Sequence, residues 1–181
     1  MKKFITFILM ILICSFASSQ SIMFNGIPVG GNIKTFKQKM IQKGYSLQDE
    51  YNGEYIKMKG IFANEPSYFY ADATKKTNTV YQVKVYWQGD SFDVGYDTDI
   101  EEELEKLHKA MISKYGEPTE IEEKDSSYNG SVLRWIKPTG TIEVIYDKKR
   151  YKSGHIYLVY TSKAGLELKE KEEKTIDSND L

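Results

Sequence analysis

Period-two alternation of apolar and polar residues is the feature that most narrows what this chain can fold into. Tyr81, Val83, Val85 and Trp87 alternate with Gln82, Lys84 and Tyr86. Ile142, Val144 and Tyr146 repeat the pattern, as do Ile156, Leu158 and Tyr160. Successive strand side chains point to opposite faces, so such runs build a sheet with one face buried and one meeting water or a partner. Further strands are expected over residues 53–62, 68–73, 119–124 and 131–137. Asn52-Gly53, Asn129-Gly130, Pro138-Thr139-Gly140 and Lys152-Ser153-Gly154 supply the turns.

Two segments carry helical periodicity instead. In residues 99–115, Ile100, Leu104, Leu107 and Met111 recur at spacings of four, three and four, the stripe of an amphipathic helix. Thr98 and Glu101 form a capping box at its start, while Gly116 and Pro118 end it. Glu102–Lys106 and Glu105–Lys109 are i,i+4 pairs in the favourable order. A shorter helix is expected over residues 33–43, capped by Asn32, lined by Ile33, Phe36 and Met40, and closed by Gly44. The fold class is therefore α+β: an antiparallel sheet with two helices on one face.

The order helix-then-strands occurs twice, over about residues 30–90 and 97–162. Met40-Ile41-Gln42-Lys43 resembles Met111-Ile112-Ser113-Lys114, and Tyr51-Asn52-Gly53 recurs as Tyr128-Asn129-Gly130. Val80-Tyr81-Gln82-Val83 resembles Ile156-Tyr157-Leu158-Val159. The offsets are 71, 77 and 76 residues, which suggests a tandem duplication of an α-β-β-β-β unit. From residue 168 on, the KEKEEK run has no apolar stripe, and residues 168–181 are expected to lack structure.

Residues 1–19 read as a cleavable export signal. Lys2 and Lys3 open it, residues 4–13 are apolar save Thr6, and Ala17-Ser18-Ser19 offers the cleavage site. The apolar run is about half the roughly 20 residues a membrane span needs. Cys14 as a lipid-attachment site is the lesser reading, because Ile13 stands where a small residue is usual. The expected product is a single periplasmic or extracellular domain over residues 20–167, followed by the tail, with no integral membrane segment.

Cys14 is the only cysteine, so the cleaved chain has no disulfide, thiolate metal site or cysteine nucleophile. The full chain carries a net charge of −1, and losing Lys2 and Lys3 takes it to −3. Without a basic surplus, nucleic acid is not an expected partner. His108 and His155 have no second ligand at metal spacing, and neither a GxSxG elbow nor an SxxK pair follows the signal. Gly30-Gly31-Asn32 lacks the Lys-Ser/Thr of a phosphate loop and reads as a turn before a cap.

Two alternatives stay open among the acids. Asp90, Asp93, Asp97 and Asp99 run into Glu101, Glu102 and Glu103, an oxygen-rich stretch of the kind that holds Ca²⁺. The spacing is not that of an EF-hand, and acids at a helix start also answer its dipole. No metal ligand is assigned. A small carboxylate-dependent hydrolase is the second alternative, although no acid pair stands out. Residues 147–152 form a basic turn that reads as a solvated hairpin tip.

The fourteen tyrosines are the strongest functional signal. Tyrosine and tryptophan give large amphipathic contact area at low entropy cost, and they also favour strands for structural reasons alone. Tyr68, Tyr70, Tyr86 and Trp87 are the candidate ligand-binding residues, on a sheet face engaging a protein or glycan. No cofactor and no catalytic residue is expected.

The layout resembles the small secreted αβ modules typified by the beta-lactamase inhibitor protein, over about residues 30–162. The resemblance implies two helix-plus-strand repeats in a curved sheet that grips a protein. That family has two helices and a cystine per repeat, where this chain has one helix and no cysteine, so no binding residue carries across.

Overall fold

The alternating runs pair into one eight-stranded sheet, antiparallel at every junction. A computed structural model describes residues 21–87, 100–123, 130–148 and 154–177. The first 20 residues, on which the export reading falls, lie outside that range. In chain order the elements are β1 (Met23–Phe24), β2 (Ile27–Pro28), α1 (Ile33–Gln42), β3 (Ser46–Tyr51), β4 (Tyr55–Phe62), β5 (Glu65–Ala73) and β6 (Val80–Trp87). After them come α2 (Ile100–Tyr115), β7 (Glu120–Glu123), β8 (Ser131–Lys137), β9 (Gly140–Lys148), β10 (Gly154–Ser162) and α3 (Lys163–Asp177). The main sheet runs β3-β4-β5-β6-β10-β9-β8-β7, and β1 with β2 forms a separate hairpin.

One face of the sheet is the core. Ile56, Met58, Phe69, Val83, Val85, Leu158, Tyr160, Val144 and Trp135 point into it, joined by Ile33, Phe36 and Met40 of α1 and Met111 of α2. The β1–β2 hairpin closes this layer. Phe24, 0% exposed, packs against Phe36, Phe62, Phe69 and Tyr160 at 5.3–6.4 Å between ring centroids. Burying a ring of that size stabilises the fold by about 1.5–3 kcal/mol. Tyr45 lies edge-on to Phe69 and directly over Gly60, where any Cβ would strike its ring.

The helix ends are made as their residues require. Asn32 Oδ1 accepts the Lys34 amide of α1 at 3.0 Å, and Gly44 takes the left-handed conformation that ends the helix (φ +90°). Gly116 does the same after α2, and its carbonyl accepts the Trp135 indole N–H at 2.7 Å. The capping residue Thr98 and the side chain of Glu101 lie outside the described residues.

Three expectations need correction. The helices number three among the described residues, because residues 168–177, expected to lack structure, continue α3. Packing against the sheet supplies what local composition does not. Second, Tyr81 does not share a face with Val83 and Val85. The β5–β6 register shifts between Asp72 and Ala73, so Val80 takes the buried position and Tyr81 is left half-buried beside α3. Third, the tandem duplication expected from the sequence is not confirmed. Each helix-plus-four-strand run forms half the sheet, the halves meeting where β6 pairs with β10. Met40 and Met111 are both buried. Yet the offset of 76 equates Gln82, on the outer face, with Leu158, which is fully buried.

Candidate functional site

The second sheet face is polar and aromatic. Direct pairing puts Tyr51 beside Tyr55, Lys57 beside Tyr70, Lys59 and Tyr86 beside Tyr68, and Tyr157 beside Tyr86. Alternation keeps these rings on one face, and contacts between them run both along direct pairs and along diagonals. Ring centroids are 5.9 Å apart for Tyr55 and Tyr70, 4.9 Å for Tyr70 and Tyr86, and 4.8 Å for Tyr86 and Tyr157. His155 stacks on Tyr157 at 6.0 Å and ends the row. The row therefore crosses β4, β5, β6 and β10, with each ring half-exposed.

Cations edge the row. Lys57 Nζ stands 4.4 Å from the Tyr68 ring centroid and 5.4 Å from that of Tyr70, with Lys59 5.9 Å from Tyr68. Lys84 pairs with Asp72 at 3.6 Å. Burial raises the phenols of Tyr55 and Tyr86, and neighbouring tyrosines and Asp72 push them the same way. They stay neutral hydroxyl donors through the physiological range.

Of the four residues singled out in the sequence, Tyr68, Tyr70 and Tyr86 stand together on this face. Trp87 closes β6 opposite Ser67, out of phase with them, and its side chain lies outside the described residues. Tyr55, Tyr157 and His155 were missed. Their signal is the same alternation, visible in Tyr55-Ile56-Lys57-Met58-Lys59 and His155-Ile156-Tyr157-Leu158. Tyrosine abundance is divided between roles: Tyr45, Tyr146 and Tyr160 are buried in the core.

Toward β7 the face becomes an ion-pair ladder. Arg134 donates to Glu143 from Nε and to Glu120 from Nη1, each at 2.7 Å, with Glu122 3.7 Å from Nη2. The guanidinium is held fully charged by those carboxylates.

Over the central strands β6 and β10, α3 borders the face. Ser162 Oγ caps α3 by accepting the Gly165 amide at 3.2 Å. Glu172, 7% exposed, accepts the Lys76 amide at 2.7 Å, the Thr77 amide at 3.2 Å and the Thr77 hydroxyl at 2.9 Å. Burial pushes this carboxyl up, but the hydrogen bonds outweigh it and hold it below the ordinary range. A hydrolytic general acid needs the reverse, so Glu172 is a structural clamp.

His108 turns a buried Nε2 without a hydrogen-bond partner among the described residues. No cluster of three metal-ligating side chains occurs among the described residues, and no helix there is long and apolar enough to cross a membrane. The acidic stretch from Asp90 to Asp99, the side chains of residues 101–103 and the basic turn of residues 147–152 lie outside the described side chains. Comparison with known protein families, with curated proteins and with solved structures finds no match to this chain.

Proposed function

We propose that this chain is an exported, non-catalytic binding module that engages a protein through its tyrosine face. The supporting observation is the row Tyr55–Tyr70–Tyr86–Tyr157, in contact across four strands and half-exposed. Such rings offer broad apolar area, few rotatable bonds and a hydroxyl tip, the composition of protein-binding surfaces. Lys57 and Lys59 add positive charge at one flank, favouring a partner with carboxylates opposite them. Export rests on residues 1–19 alone.

A protein suits the face better than a glycan. Sugars stack on the flat faces of aromatic rings. Here Tyr70, Tyr86 and Tyr157 meet at interplanar angles of 70–72°, so the rings spend much of their faces on one another. Rings packed edge-to-face leave less flat area for a sugar and suit mixed polar and apolar protein surface.

The test is a double variant, Tyr70→Ala with Tyr86→Ala, immobilised beside wild-type residues 20–181 in extract from the source organism. Cross-strand pairs on an exposed face contribute roughly 0.2–1 kcal/mol each, so the variant should melt within a few degrees of wild type. One stoichiometric protein captured by wild type and lost from the variant is expected. Equal capture, or none by wild type, refutes the reading.

A further inference from the structure

A pocket of about 250 Å³ opens where the tyrosine row reaches α3. Tyr55, the outermost ring in the β4–β10 row, forms one wall, and Tyr81, displaced by the register shift in β6, forms another. Four carboxylates line it against two ammonium groups, those of Lys75 and Lys169. Asp72 is paired with Lys84, and Glu172 is spent on the turn before β6. That leaves Glu173, 3.7 Å from Lys169, and Glu54, whose carboxylate has no partner among the described residues.

Lys169 demonstrates what the pocket accepts. Its ammonium stands 4.9 Å from the Tyr81 ring centroid with Glu173 beside it, an aromatic face and a carboxylate around one cation. Burial, then Asp72 and Glu173, raise the Tyr81 phenol; Tyr55 is raised by burial and, among other neighbours, Asp49 and Asp72. With Lys84 counted, four carboxylates meet three ammonium groups, so the pocket keeps one negative charge in excess. We propose that it receives the ammonium or guanidinium group of a Lys or Arg side chain on a protein partner, with Lys169 as a tethered occupant that the incoming cation displaces. The choice of a side chain over a free amine rests on the protein-binding reading of the adjoining face.

Four probes titrated into the full chain, followed by tyrosine ring-proton NMR, test this: N-acetyl-lysine methylamide, its arginine counterpart, N-acetyl-norleucine methylamide as the neutral isostere, and n-butylamine as a free amine. The lysine and arginine probes should saturate and the norleucine probe should not. Glu54→Gln should weaken the cations about fivefold, the scale of one partly screened charge contact. Lys169→Ala should tighten them by about threefold or more, since a competing cation is gone. Lys169→Met, which keeps the stem over Tyr81, should do the same and guards against a disturbed helix. Saturation by norleucine, or unchanged or weaker binding in both Lys169 variants, overturns the proposal. Binding of n-butylamine as tight as that of the lysine probe overturns the side-chain assignment. A Tyr86→Ala, Tyr157→Ala double variant, which spares the Tyr70 ring packed on Tyr55, should leave all these titrations unchanged, so the pocket and the face fail separately.

Discussion

Glu172 shows how much one residue can do here, and how little its neighbours in sequence announce it. It sits in KEKEEK as one glutamate among several, yet it clamps amides 96 and 95 residues earlier. Because its folded pKa lies below the ordinary 4.5, it contributes stability above that pH, and the contribution is lost as pH falls through the folded value. Glu172→Gln should therefore cost roughly 2 kcal/mol at neutral pH, the scale of hydrogen bonds to a charged acceptor. The gap between wild type and variant should close in acid. Melting curves from pH 7 to pH 3 decide it; a gap independent of pH would show that the carboxylate charge is not what holds the turn. The tyrosines behaved differently. Tyr68, Tyr70 and Tyr86 were legible because alternation assigns each a face without knowledge of any partner. Trp87 stands beside them on residue type alone: the alternation of β6 already sets it out of phase with Tyr86, and its pairing with Ser67 agrees.

At the scale of elements, α1, α2 and the alternating strands were legible because each presents an apolar stripe at its own period. Two kinds of element were not. β3 is exposed along its whole length, so Ser46–Tyr51 carries no alternation and is held by pairing with β4. Among its described side chains, α3 buries Gly165 and Glu172 and half-buries Leu168 and Lys169, of which only Leu168 reads as apolar. Gly165 is there because α3 crosses β6 closely: a Cβ would lie 2.8 Å from Tyr81 Cα and 3.0 Å from the Val80 carbonyl oxygen. Helix propensity alone says that Gly165→Ala stabilises by about 1 kcal/mol. The contact says the reverse, since α3 must lift from backbone atoms that cannot yield, at a cost of about 1–3 kcal/mol. The expected outcome is a lower melting temperature, with faster amide exchange confined to α3 and the turn that Glu172 holds. A stabilised variant would mean that the helix is free to shift.

For the whole molecule, the decisive junction is β6 with β10. Each half of the chain contributes four consecutive strands, but neither half contains a finished core. Parting them would expose Val83, Val85 and Leu158, all 0% accessible, and Tyr160 at 1%, along two unpaired strand edges. It would also strip Phe24 of its contact with Tyr160, at 5.3 Å between ring centroids. That contact carries the N-terminal hairpin across the seam. Residues 20–95 and 96–181, made separately, should therefore show no cooperative melt, and mixing them should restore one together with the near-ultraviolet circular dichroism of packed tyrosines. A cooperative transition in either fragment alone would make the halves independent domains and the seam a mere docking contact. The same junction bears on function, because Tyr86 and Tyr157 come from different halves and meet at 4.8 Å only when the sheet is joined. A partner that needs the full tyrosine row should bind the recombined fragments as it binds the intact chain, and should bind neither fragment by itself.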